Sequence, residues 1–369
     1  MWTFKLPTRI VFGAGAAHQT ATLASEFGQR PAIITDATLV GLPQVQEIIA
    51  QLPDAVIHSD VEPNPTTENV DAAAALLREH GADVVIAIGG GSPLDCAKAA
   101  AVLARSGEAH IRPYHSGGAV LPRAALPLIA LPTTAGTGSE VTPFSVLDDR
   151  EKGIKGPIAG EALYPAVALV DPALTYTLPR FVTACTGLDA LSHSLEGYWS
   201  RGHQPICDHL AMEAARLVFQ NLETVLTTPG DQAAREAMSY AALLAGMAFQ
   251  LPKNAMVHAC SFPLSNRFHL PHGAACAFTM EFAIRLNAPH TGGRLDAFAA
   301  YCGFDTPEAM ADRIGELKGL SGLPRTLTEA GIPQEAVSTL IDESWHPLMK
   351  NNPKEVTRDD LEALYASLA

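Results

Sequence analysis

Two hydrophobic patterns divide the chain. Up to about residue 180, short apolar runs at Arg9–Phe12, Pro31–Asp36, Ala55–Val61, Asp83–Ile88 and Leu126–Thr134 read as strands. Helical stretches lie between them, near His18–Phe27 and at Leu42–Gln51, Val70–His80 and Pro93–Arg105. This alternation predicts an α/β domain built on a doubly wound parallel sheet. Beyond Phe181 the strand-like runs stop and helical periodicity takes over, at Thr183–Tyr198, Ile206–Asn221, Ala233–Leu251, Ala274–Arg285, Pro307–Lys318, Glu335–Glu343 and Arg358–Leu368. The expected organisation is an α/β domain over residues 1–180 and an all-helical domain over 181–369.

One helical stretch carries chemistry as well as pattern. In TGLDALSHSLEGYW, Leu188, Leu191 and Leu195 recur on one apolar side, while Asp189 and His193 stand four residues apart on a neighbouring one. That spacing stacks a carboxylate against an imidazole. It serves either a hydrogen-bonded Asp–His pair at the edge of a core or half of a metal site.

Composition narrows the function classes. A chain of 369 residues with 47% hydrophobic and 17% charged residues is globular and long enough for two cores. Its net charge of −14, with no basic run, excludes a nucleic-acid partner. The N-terminus lacks a signal-peptide pattern, and no apolar run reaches the roughly 20 residues of a membrane span. Six cysteines without a CxxC pair read as buried thiols in a reducing compartment. A cytoplasmic protein with no membrane partner is expected.

The strand ends of the first domain are rich in phosphate-binding chemistry. Gly89-Gly90-Gly91-Ser92 joins a strand to a helix start, where bare N–H groups and the helix dipole hold an anion, unless the turn is only structural. Asp95 lies in the first turn of that helix, as a cap or a ribose contact. Asp36, ending the second strand, is either a helix cap or a ribose-binding acid favouring NAD over NADP. The turn Thr133–Glu140 is almost wholly hydroxyl and glycine positions, suited to phosphate or nicotinamide.

Further metal donors are available in HACSFPLSNRFHLPHG, where His258 and His272 flank a turn. With Asp189 and His193 they make one carboxylate and three imidazoles, a set that suits Fe²⁺ or Zn²⁺ with a position left open. GGGSPLDCAK, LPTTAGTGSEVT, YPAVALVDPALTYTLP, TGLDALSHSLEGYWS, the His258…Pro271-His272-Gly273 spacing and the NNPKEVTRDDLEALY tail together resemble the iron-containing (group III) alcohol dehydrogenase family, over essentially the whole chain.

The resemblance implies a dehydroquinate synthase-like/iron alcohol dehydrogenase fold, with the active site between the dinucleotide-binding and helical domains and a homodimer as the assembly. It makes Asp189, His193, His258 and His272 the metal ligands, with Fe²⁺ the favoured metal and Zn²⁺ the alternative. It places Gly90, Gly91, Ser92 and Asp95 on the pyrophosphate and adjoining ribose of NAD(H), Asp36 on the adenosine ribose, and Thr133, Thr134, Ser139 and Lys155 along the rest of the cleft. Phe262 stands where many members carry a further histidine, so the proton is expected to travel by water or by the nicotinamide ribose hydroxyl. His269 is not at the matching position and reads as structural.

Such an enzyme polarises a carbonyl at the metal while hydride passes from the reduced nicotinamide. The local motifs look most like the phosphonoacetaldehyde reductase branch, which would convert that aldehyde to 2-hydroxyethylphosphonate. Lys253, Asn254 and Arg267 are the candidates for its anionic headgroup, or else solvated helix-end residues. A simple C2–C4 aldehyde is the alternative substrate. Elimination of the dehydroquinate synthase kind would need a more basic pocket. A metal-free, maleylacetate-reductase-like enzyme and a silent NAD-binding regulator both sit poorly with the complete Asp/His donor set.

Overall fold

Alternate residues of the apolar runs face opposite sides of a single parallel sheet. The computed structural model describes all 369 residues. Its first half contains β1 (Arg9–Phe12), α1 (Thr20–Ser25), β2 (Pro31–Ile34), α2 (Pro43–Ile49), β3 (Val56–His58), α3 (Thr67–His80), β4 (Val84–Gly89), α4 (Gly91–Ser106), β5 (Leu128–Pro132), β6 (Phe144–Asp149), β7 (Ile154–Ala159) and β8 (Val167–Val170). Six of these strands form the sheet, in the order β1-β8-β5-β4-β2-β3, and every pairing is parallel. Ile33, Ile86, Ile129 and Leu169 pack into one apolar cluster, and Ile34, Val85, Leu128 and Ala130 into another. Both faces are therefore covered, which explains why these strands read as continuous apolar runs.

The second half is helical, with α5 (Arg180–Trp199), α6 (Pro205–Thr227), α7 (Gln232–Phe249), α8 (Met256–Phe268), α9 (His272–Asn287), α10 (Arg294–Tyr301), α11 (Pro307–Ser321), α12 (Val337–Glu343) and α13 (Arg358–Ser367). By internal contacts one unit comprises Lys5–Thr134 with Gly138–Thr175, and the other Tyr176–Ala369 with Met1–Phe4 and Ala135–Thr137. The helical unit is organised around α5, which packs on α6, α7 and α9. The apolar stripe of Leu188, Leu191 and Leu195 is fully buried, but so is most of the opposite side. Sixteen of the twenty residues of α5 are buried, so its polar groups have no water to fall back on. No helix is long and apolar enough to cross a membrane.

Four elements depart from the pattern expected of the sequence, the first being β8, which lies between β1 and β5 where no strand is expected. An antiparallel hairpin, β6–β7, fills residues 144–159, and its half-buried alternation is too short and polar to stand out. Helix α8 runs through Pro263, a residue that argues against helix on sequence grounds. Helix α10 also lies where no element is expected.

Candidate metal centre and cofactor loops

Helical spacing brings Asp189 and His193 together, but not as a hydrogen-bonded pair. His193 Nε2 lies 4.0 Å from Asp189 Oδ1, beyond hydrogen-bond range. The same oxygen is approached by His258 Nε2 at 3.8 Å and His272 Nε2 at 3.7 Å. His258 comes from the first turn of α8 and His272 opens α9, and the two helices are joined by a turn in which His269 closes α8 with φ 55°. Three ring nitrogens thus converge on one carboxylate oxygen without bonding to it. Asp189 Oδ1 and His258 Nε2 are buried and have no partner, each costing about 1–3 kcal/mol if left so. Donors around one tetrahedral cation at about 2.1 Å stand roughly 3.4 Å apart, close to the observed separations. The chemistry of the donor set and its two orphaned atoms fit a shared divalent cation.

The surroundings prepare the rings differently. His193 is stacked on Phe249 (centroids 4.1 Å apart), and burial lowers its pKa to about 3, leaving a neutral imidazole. Burial also disfavours charge on His258, yet Cys276 and Glu196 outweigh it and hold its pKa well above the ordinary value. Glu196, fully buried on α5, accepts from His258 Nδ1 at 2.6 Å and from the Val257 N–H at 2.7 Å. With Nδ1 held by Glu196, the ring turns Nε2 toward the Asp189 oxygen, and a cation bound there would displace the Nε2 proton and take its lone pair. For Asp189 itself, burial opposes ionisation, but the three imidazoles bring its pKa below the usual carboxylate value.

Two neighbours of the cluster were not anticipated from sequence. Glu196 follows His193 by three residues, so one helical turn would have placed it nearby. Cys276 follows His272 by four, and its Sγ lies 3.8 Å from His272 Nε2. Burial pushes its thiol up, but His258 and His272 prevail and bring it to about 7. The start of α9 can approach α5 this closely because residue 273 is glycine: a Cβ there would lie 2.0 Å from the Cys185 carbonyl oxygen.

In the α/β unit, Asp36 and Gly90–Gly91 follow the adjacent parallel strands β2 and β4. The chain runs outward from β2 to β3 and returns to β4 on the other side, so these loops flank the switch point where doubly wound sheets take dinucleotides. Gly89 is required by a close approach, since a Cβ would meet Pro93 Cγ at 2.4 Å. Helix α4 starts with no side-chain cap on its N–H groups. Asp36 Oδ1 accepts from the N–H groups of Thr38 and Leu39. The Thr133 N–H donates to Gly89, and Thr134 packs against Gly90. The Ser92 hydroxyl accepts from the Asn64 N–H, and Lys155 donates to the Asn64 side chain at 2.7 Å.

Asp95 is turned inward. Its Oδ1 receives Ser139 Oγ at 2.5 Å and buried Lys98 at 3.4 Å, and its Oδ2 receives the Val146 N–H at 2.8 Å. Both oxygens are engaged because a buried ammonium demands an anion. This supports a brace between α4 and the hairpin over the ribose contact expected of Asp95. Ser139 joins the same brace through its hydroxyl and carbonyl.

Of the residues considered for a substrate headgroup, Arg267 is exposed and ion-paired with Glu343. Lys253 is exposed, has φ 64° and makes no ion pair, and the side-chain oxygen of Asn254 is buried without a partner. Asn351 holds this loop, its side-chain N–H₂ reaching the carbonyls of Pro252, Lys253 and Asn254. Phe262 lies one turn beyond His258 and meets the ring of His346 edge-on at 4.9 Å.

The chain matches two family models: iron-containing alcohol dehydrogenase over residues 7–172, and the C-terminal domain of the Fe-containing alcohol dehydrogenase family over 183–369. It is 35% identical to alcohol dehydrogenase 4 of Saccharomyces cerevisiae over 371 residues, 98% of this chain and 97% of that protein. It is 32% identical to sulfoacetaldehyde reductase of Bilophila wadsworthia, with 96% of each covered. The crystal structure of sulfoacetaldehyde reductase from Bifidobacterium kashiwanohense in complex with NAD⁺ superposes with a TM-score of 0.96 at 41% identity, covering 100% of this chain and 98% of that one. By fold and by sequence over nearly its full length, the chain is an oxidoreductase of the iron-containing alcohol dehydrogenase family.

Proposed function

We propose that this enzyme is a metal-dependent, NAD(H)-linked reductase of a short aldehyde carrying an anionic headgroup, a phosphonate or a sulfonate on the carbon next to the reacting one. The observation that carries the reading is the convergence of three Nε2 atoms on Asp189 Oδ1 in an otherwise buried site. Asp189, His193, His258 and His272 are the proposed metal ligands. Their O/N donor set accepts Fe²⁺, the metal proposed, and also Zn²⁺. When bound, the cation polarises a carbonyl oxygen as a Lewis acid, and NADH supplies the hydride. Glu196 keeps the His258 proton on Nδ1, and Phe262 offers no proton donor where a histidine would. The proton is therefore proposed to come by water or a cofactor hydroxyl.

For the cofactor, Gly90, Gly91 and Ser92 at the α4 N-terminus are proposed to hold the pyrophosphate, with Thr133, Thr134, Ser139 and Lys155 along the same strand ends. Asp36 is proposed to meet the adenosine ribose. A carboxylate in that place accepts a 2′-hydroxyl and repels a 2′-phosphate, which supports NAD over NADP. The proposed assembly is a homodimer.

The headgroup is proposed to rest on Lys253 and Asn254. Support comes from the unpaired Lys253 ammonium and from likeness to two sulfoacetaldehyde reductases. A neutral C2–C4 aldehyde is the second reading, favoured by the engagement of Arg267 with Glu343. NADH oxidation over acetaldehyde, propanal, butanal, phosphonoacetaldehyde and sulfoacetaldehyde decides between them. An anionic aldehyde is expected to lead in kcat/KM by at least about tenfold, one well-made charged contact being worth about 1.4 kcal/mol or more. Lys253→Ala should raise KM for the anionic substrate alone. Equal rates on propanal and the anionic aldehydes sink the headgroup.

A further inference from the structure

A fifth donor atom stands at the metal cluster. The ligand atoms of Asp189, His258, His272 and Cys276 all lie within 4.8 Å of one another. Cys276 is fully buried, one helical turn beyond His272 on the same face of α9. We propose that Cys276 is a direct metal donor, so that the centre of this enzyme carries a sulfur atom besides the carboxylate and imidazoles.

The proposal rests on the metal-centre reading above and goes beyond it. Its first support is distance. Sulfur at about 2.3 Å and nitrogen at about 2.1 Å from one cation stand roughly 3.1 Å apart at the 90° angle and roughly 3.8 Å apart at the 120° angle of a five-coordinate centre. Cys276 Sγ and His272 Nε2 are 3.8 Å apart. The second support is the pair of buried, unpartnered atoms, Asp189 Oδ1 and His258 Nε2, that share the space with Sγ. Binding releases the thiol proton to the buffer. A thiolate makes the centre softer and tilts its preference from Fe²⁺ toward Zn²⁺ and Co²⁺.

Cobalt reports on this without any turnover. Chelator-treated full-length protein is reloaded with Co²⁺, its metal content is measured by elemental analysis, and its absorption spectrum is recorded. The expected result is one cobalt per chain and a near-ultraviolet thiolate-to-cobalt charge-transfer band. The band should vanish in Cys276→Ser and Cys276→Ala and persist in Cys185→Ala, whose thiol lies one turn before Asp189. Stoichiometric cobalt with visible ligand-field bands but no charge-transfer band refutes the thiolate and leaves the metal centre standing. So does a band that the Cys276 variants retain. Failure of the wild type to bind cobalt overturns both. If the variants do not fold, the wild-type spectrum decides whether a thiolate is present, and Cys185→Ala and Cys260→Ala decide whether it is one of the other two nearby thiols.

Discussion

Glu196 accepts one hydrogen bond on each carboxylate oxygen, from the Val257 N–H and from His258 Nδ1. A glutamine has a single acceptor oxygen, so in Glu196→Gln one of these donors would face an N–H₂ group. The variant should keep its helical circular dichroism yet lose about 10- to 100-fold in metal affinity, measured by competition with a chromophoric chelator. Unchanged affinity would mean that the carboxylate does not set the ring. A second buried acid reports on stability. Burial pushes Glu140 up to about 7, with the Lys98 ammonium only partly offsetting it. The folded state then binds this proton more tightly than the unfolded chain, whose value is 4.5. Stability from this group is full below pH 4.5 and is lost as pH rises to 7, by roughly 3 kcal/mol in all. Glu140→Gln should flatten that part of the stability–pH curve, as followed by urea unfolding. An unaltered slope would place the titration elsewhere.

The ligand-bearing helices depend on one backbone contact. In Gly273→Ala the new methyl would lie 2.0 Å from the Cys185 carbonyl oxygen, and backbone cannot swing aside as a side chain can. Helix α9 must retreat from α5, carrying His272 away from Asp189. We expect loss of stoichiometric metal together with a destabilisation of about 1–3 kcal/mol, the usual cost of overpacking. Retention of both would show that the helices have slack. Much of this arrangement was legible beforehand. The recurrence of Leu188, Leu191 and Leu195 predicts α5, and the pattern from Ala274 predicts α9, which begins two residues earlier at His272. Two parts were hidden for physical reasons. Pro263 disguised α8, because its missing N–H matters less inside a helix held by packing than local propensity implies. Glu196 and Cys276 were hidden because a charge or thiol at helical spacing is ordinary. Only the fold reveals that their turns face the same small space.

At the scale of the molecule, the proposed metal donors all belong to the helical unit, and the glycine loops to the α/β unit. Saturating metal should therefore slow hydrogen exchange in α5, α8 and α9 and leave the sheet amides unchanged, while NAD does the reverse. At a thousandfold excess over Kd the ligand contributes about 4 kcal/mol. Equal protection of both units by metal alone would contradict a binding site confined to the helices. Asn351 adds a constraint of a different kind, on the order of events during synthesis. The loop ahead of His258 exposes three carbonyls, at Pro252, Lys253 and Asn254, whose common donor is 99 residues further along the chain from the first of them. At ribosomal speeds of about 5–20 residues per second, that donor follows some 5–20 seconds later. Until it arrives, the segment leading into His258 lacks the clamp that holds it. The nascent chain can thus assemble its sheet before Asn351 is made, but its metal pocket matures only after that residue has left the ribosome.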